Sequence, residues 1–183
     1  MFVLNNFTSY LSIEGKILMS IVEKAFQAQL KQVGSEVGIS PWVTVDQTMI
    51  DKFADVTMDP QFIHVDEKRA KLETSFGGTI AHGFLSLSLA SKFAIDTFPP
   101  EPGQLMGINY GLNKVRFLNP VKNGARIRGR FVMNKVTRKS EFKILRELGL
   151  TIEIENDPTP ALYAEWLGLA IFSFITFLSV LNF

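Results

Sequence analysis

The stretch from Thr57 to Ala70, TMDPQFIHVDEKRA, places a carboxylate, Asp59, five positions before His64, one of two histidines in the chain. A free carboxylate titrates near about 4 and an imidazole near about 6.5, so near neutral pH one accepts protons while the other gives or takes them. Two such groups on one short loop can hold a single water between them. That is the chemistry needed to add water across a double bond or to remove it. The spacing alone also fits a bland arrangement, in which the Asp caps a helix and the His fills a gap.

His82-Gly83 forms a second element, at the start of a long apolar run. N–H groups in the first turn of a helix lack internal partners and carry partial positive charge. Gly83 would let a ligand approach the backbone closely. A thioester carbonyl held there would be polarised as its enolate forms. The competing possibility is that Gly83 only lets another strand cross tightly.

These groups need a scaffold, and the hydropathy pattern outlines one. Residues 16–33 carry Ile17, Leu18, Ile21, Val22, Ala25, Phe26, Leu30 and Val33 at three- and four-residue steps, which predicts an amphipathic helix stopped near Gly34. SPWVTVDQ reads as one short strand and QTMIDKFADVT as a short helix, with Met49, Ile50, Phe53 and Ala54 inward. The TMDPQFIH stretch follows as a loop broken by Pro60, and HVDEKRAKL as another turn or two of helix. From Ile80 to Phe98 the run is apolar or small nearly all round, which predicts one long buried helix, N-capped by Thr79 and ended by Pro99-Pro100. GINYGLNKVRFLNPV, ARIRGRFVMNKVT, EFKILRELGLTIEIEN and ALYAEWLGLAIF then alternate with period two, as four successive strands. The order predicts an α+β fold, a curled antiparallel sheet wrapped around a long central helix, of the kind called a hot dog. Residues 1–34 read as an N-terminal helical extension, 35–170 as the hot-dog domain and 171–183 as an apolar tail.

Composition narrows the field. The 183 residues suit one domain with a substantial core. With no cysteine, thiolate metal sites, disulfides and cysteine nucleophiles are excluded. No basic segment precedes the apolar start, so a cytoplasmic setting is expected. Two histidines 18 positions apart offer few zinc ligands, and no metal is expected.

Taken together, FADVTMDPQFIHVDEKRA and FGGTIAHGFLSLSL resemble the MaoC-like dehydratases, the (R)-specific enoyl-CoA hydratases with a hot-dog fold. Phe53, Asp59, Ile63, His64 and Ala70 fall in register with that family's hydratase motif, and Ala81-His82-Gly83 with its AHG. GINYGLNKVRFLNPVKNGARIRG resembles its later strands, and QFIH with GINYGLNKVRF is most similar to the nodulation protein N-like branch. The resemblance implies Asp59 and His64 as catalytic side chains and the Gly83 N–H as the holder of the thioester oxygen. It implies substrate contacts from Gln61, Ala81, His82, Asn109, Tyr110 and Arg116. The implied reaction is reversible syn addition of water to a trans-2-enoyl thioester of coenzyme A or acyl carrier protein, with no added cofactor, in a homodimer. Two departures stand out. Met58 replaces the family's glycine before the catalytic Asp, and Gln61-Phe62 replaces its Asn-Pro.

Rival readings on the same residues are a hot-dog thioesterase and a non-catalytic acyl-thioester-binding protein. From Lys114 to Arg146, eleven Lys or Arg face one acid, Glu141. Arg126, Arg128 and Arg130 share one strand face, either as a solvated outer surface or as a landing site for coenzyme A phosphates or an acidic carrier protein. Nucleic acid is not expected, because aromatic interleaving is missing. The uncharged run from Trp166 to Phe183 is expected to pack against the domain or a partner subunit rather than a membrane.

Overall fold

The computed structural model describes residues 2–173, with side chains from 15 onward. Its helices are α1 (Phe2–Leu30), α2 (Gln47–Thr57), α3 (Phe62–Val65), α4 (Glu67–Glu73), α5 (Gly83–Ser88) and α6 (Ala90–Thr97). Its strands are β1 (Glu36–Ile39), β2 (Val43–Thr44), β3 (Gln104–Phe117), β4 (Arg126–Ser140), β5 (Lys143–Ile154) and β6 (Leu162–Phe172). The strands form one antiparallel sheet in the order β1-β4-β5-β6-β3, with β2 also on β4. This is the hot-dog fold that the alternation from Gly107 onward predicts.

Period-two burial explains why the sheet curls around the helices. Ile127, Phe131 and Met133 of β4 and Ile144, Leu148, Leu150 and Ile152 of β5 are all buried. They meet Phe93 of α6, which is fully enclosed. Phe131 takes an edge contact from Phe98 at 5.0 Å between centroids. At Gly129 a Cβ would sit 2.9 Å from the Phe93 Cβ, so only glycine lets α6 lie this close to β4. Emptying the centre by Phe93→Ala would cost about 3–5 kcal/mol.

Three details differ from the sequence-based expectations. First, the early strand is two strands, β1 and β2, separated by residues 40–42. Second, the central helix is broken at Leu89, whose ψ of −10° tightens the turn between α5 and α6. It is also exposed along one side, with Phe84 66% and Ile95 75% accessible. Third, Thr79 caps nothing and His82 takes the N-cap position, without a side-chain cap bond. The Thr79 hydroxyl instead meets Gln47 Oε1 at 2.6 Å and Glu67 Oε2 at 3.1 Å.

Helix α1 buries a narrower stripe than its apolar pattern suggests. Leu18, Val22 and Ala25 are buried with Gln29, while Ile17, Leu30 and Val33 stay exposed. Glu23 pairs with Arg138 of β4, and Gln29 accepts from Arg146 of β5. Gly34, at φ 85°, turns the chain toward β1. The apolar run after Ser173 lies outside the described residues. No helix among the described residues is long and apolar enough to cross a membrane.

Candidate active site

The Asp59–His64 segment is held by short helices with defined ends. Asp46 caps α2 by accepting from the Met49 N–H at 2.8 Å. The helix stops at Met58, which takes the left-handed conformation at φ 56°, ψ 37°. That is the conformation a glycine would adopt freely, so the departure at Met58 leaves a left-handed stop intact at some strain. The Asp59 N–H then bonds to the Ala54 carbonyl at 3.0 Å. Gln61 opens the single turn α3, which turns His64 inward.

His64 is buried, and its Nδ1–H donates to the Ile80 carbonyl at 2.7 Å. A carbonyl oxygen only accepts, so the proton of the neutral ring is on Nδ1 and the lone pair on Nε2. Burial lowers its pKa from the ordinary 6.5 and His82 adds to this; the Ile80 bond and Asp59 oppose it. The Ile80 N–H returns a bond to the Ile63 carbonyl at 3.0 Å, and the Gln47 amide donates to the His64 carbonyl at 2.7 Å. The imidazole is therefore fixed from two chain segments.

His82 belongs to the same cluster. Its ring stacks on His64 at 3.6 Å between centroids and 25° between planes. Its Nε2–H donates to the Asp59 carbonyl at 3.0 Å, and the Asp59 carboxylate lies 3.8 Å from the same nitrogen. Its Nδ1 is buried without a partner among the described residues. One donor atom each from Asp59, His64 and His82 falls within 4.8 Å of the others, which the count of histidines alone did not anticipate. Each ring commits one nitrogen to a carbonyl, His64 through Nδ1 and His82 through Nε2, which leaves His64 Nε2 and His82 Nδ1 as the acceptors available for proton transfer.

A cavity of about 270 Å³ opens beside His64, lined also by Ala81, Gly83, Ser86 and Phe117. Asp59 is outside that lining, with its side chain 58% exposed. Gly83 supplies the first N–H of α5, which has no intrahelical acceptor. A Cβ on Gly83 would sit 2.9 Å from the Phe117 ring. The close approach that glycine allows is thus made by a side chain of β3, nearer to the crossing-strand possibility than to a ligand on bare backbone. Phe117 belongs to the VRF that resembles the family's later strands, but its place against Gly83 was not legible there, because it depends on how β3 lies across α5.

A model of the MaoC like domain matches residues 27–153. The chain belongs to the MaoC-like family. Nodulation protein N of Rhizobium leguminosarum bv. viciae is 50% identical over 141 residues, 77% of this chain and 88% of that protein. A 3-hydroxyacyl-thioester dehydratase Z of Mycobacterium tuberculosis is 41% identical over 132 residues, 72% of this chain and 86% of that protein. Among solved structures, the R-hydratase PhaJ1 of Pseudomonas aeruginosa superposes with a TM-score of 0.61 at 26% identity, covering 77% of this chain and 83% of that one.

Within this MaoC-like chain, the residues expected to touch substrate divide into two groups. Ala81, His82 and Gly83 join Asp59 and His64. Asn109 lies elsewhere, donating to Ser91 Oγ at 2.9 Å beside a second cavity of about 340 Å³. Tyr110 is exposed, Arg116 donates to the Val115 carbonyl, and the exposed Gln61 lines neither cavity. The arginine stripe is electrically compensated. Arg126 pairs with Glu155, Arg128 and Arg130 share Glu153, Arg130 also reaches Glu36, and Arg128 lies over the Trp42 ring at 4.3 Å. That face is a salt-bridged outer surface rather than a free phosphate landing site.

Proposed function

We propose that the chain is an (R)-specific enoyl thioester hydratase or dehydratase, adding water to a trans-2-enoyl thioester to give an (R)-3-hydroxyacyl thioester. One observation carries the reading: an Asp59 carboxylate oxygen and a His64 ring nitrogen fall within 4.8 Å of each other, and His64 and Gly83 line the same cavity. That separation suits one bridging water.

In the hydration direction, the neutral His64 draws a proton from water through Nε2 as the water oxygen bonds to C3. The C2–C3 double-bond electrons move to the thioester oxygen, where the Gly83 N–H stabilises the enolate. C2 then takes a proton from the Asp59/His64 pair. Oxygen and proton arrive from the same side, which is syn addition. Dehydration runs these steps backwards. The carrier is coenzyme A or an acyl carrier protein, and the assembly is a homodimer.

The deciding experiment assays crotonyl-CoA hydration against acyl-CoA hydrolysis, with chiral analysis of the product. Formation of (R)-3-hydroxybutyryl-CoA supports the reading. Hydrolysis without hydration favours a thioesterase, and neither activity favours a binding protein.

A further inference from the structure

Two further cavities lie along α5 and α6 beyond the one at His64. The second cavity, beside Ser88, Ala90 and Leu112, shares Ser91, Asn109 and Trp166 with a third of about 430 Å³. The third is walled mainly by apolar side chains, among them Ile95, Phe98, Leu105, Leu148 and Leu169. The three follow α5 and α6 in order. From Gly83 to Ile95 that path is on the order of 15–20 Å at helical rise, suited to an extended acyl chain.

Among the described residues one charged side chain lines the third cavity, Arg146 of β5. Its surroundings differ from those of the outer arginines. Arg126, Arg128, Arg130 and Arg138 each close on a glutamate. Arg146 instead donates from Nε to Gln29 Oε1 at 3.1 Å and from Nη2 to Gln104 Oε1 at 3.4 Å, both neutral amides. Glu101, the nearby acid, bonds to the Gln29 amide at 3.1 Å rather than to the guanidinium. Among the described residues two of its five N–H donors are used, and the remaining three are the ones offered to a ligand. Burial weakens the guanidinium's basicity, with Glu101 opposing the effect only at a distance. A guanidinium nonetheless keeps its proton, and a cation beside an apolar cavity is stabilised by an anion placed against it.

We propose that Arg146 receives a carboxylate at the far end of the acyl chain, so that the preferred substrates are ω-carboxylated, dicarboxylic-type acyl thioesters rather than methyl-ended ones. The proposal rests on the thioester reading above and adds the chemistry of the distal group. A methyl end would leave the cation facing hydrocarbon. A carboxylate would form charge-assisted bonds to the open donors.

The test is a binding titration followed by Trp fluorescence, since Trp166 lines both outer cavities. Dodecanedioyl-CoA and dodecanoyl-CoA are compared on the full chain. The expected result is roughly tenfold or greater preference for the diacid thioester. Arg146→Gln and Gln104→Glu, which sets an internal carboxylate beside the guanidinium, should each abolish the preference, and Arg146→Lys should keep part of it. If Arg146→Gln fails to fold, Gln104→Glu decides, because it retains the arginine. Equal binding of the two ligands by the wild type, or a preference that survives Gln104→Glu, overturns the proposal. Crotonyl-CoA turnover is measured separately. Discrimination without turnover removes the hydratase reading alone, and turnover without discrimination removes only the distal carboxylate.

Discussion

The rings of His64 and His82 lie face to face, 3.6 Å between centroids, and His82 also holds the Asp59 backbone through its Nε2–H. His82 therefore acts through both members of the proposed catalytic pair. His82→Phe keeps a flat ring but loses the donor, and should lower kcat by up to about tenfold, the worth of one hydrogen bond. His82→Gln keeps a donor and should retain more activity. Because His82 contributes to the lowered pKa of His64, both variants should move the acid limb of the pH–rate profile to higher pH. Unchanged limbs in both would remove His82 from the mechanism.

Asp59→Asn and His64→Gln should each reduce hydration kcat by about 10²–10⁴-fold, the usual reach of general acid–base catalysis. Asp59 is largely exposed, so its variant should melt like the wild type, and its kinetics report chemistry rather than folding. Full turnover in either variant ends the catalytic assignment.

The burial of His64 predicts a pH dependence of stability. Its native pKa lies below the ordinary 6.5, to which the unfolded chain returns. As pH falls through that window, the unfolded state takes up the proton first. The contribution of His64 is therefore complete above about 6.5, is lost as pH falls through the lowered native value, and then levels off. Urea midpoints from about pH 8 to about pH 5 should fall for the wild type and fall less for His64→Gln.

Met58 carries a left-handed backbone and an 87% exposed side chain. Relief of the left-handed penalty, about 1–2 kcal/mol, exceeds the entropy cost of glycine, about 0.5–1 kcal/mol. Met58→Gly should stabilise the protein by roughly 0.5–1 kcal/mol in denaturant titration. A loss of stability would mean that the left-handed stop is not kept in solution.

Strand β3 ends the sheet and exposes Leu105, Met106, Ile108, Tyr110 and Leu112 along its length, with Phe84 and Ile95 of the helices also uncovered. An exposed apolar edge of this length calls for a partner. Sedimentation equilibrium should find a dimer at micromolar concentration, and Ile108→Lys should weaken it. A wild-type monomer throughout would leave this surface unexplained.

The sequence carried the four long strands and the Asp59–His64 stretch clearly, because alternation and short-range spacing are local properties. It did not reveal β1. Four residues are too few for a periodic signal, and β1 exists through its pairing with Phe131 and Val132. The central run looked buried all round because hydropathy does not distinguish a core-facing Phe93 from an outward Phe84. The neutralised arginines depended on register, which sets Arg128 opposite Glu153. The His64–His82 stack joins segments 18 positions apart, and only the fold brings them together.

The interruption at Leu89 divides labour along the groove. The amide proposed to hold the thioester oxygen sits on α5, while α6 walls the third cavity, and the bonds Leu89 N–H to the Leu85 carbonyl and Phe93 N–H to the Leu89 carbonyl carry the helical ladder across the turn between them. On the proposed reading, a substitution on α6 that resizes the distant compartment is therefore transmitted along the helix to the amide at the start of α5.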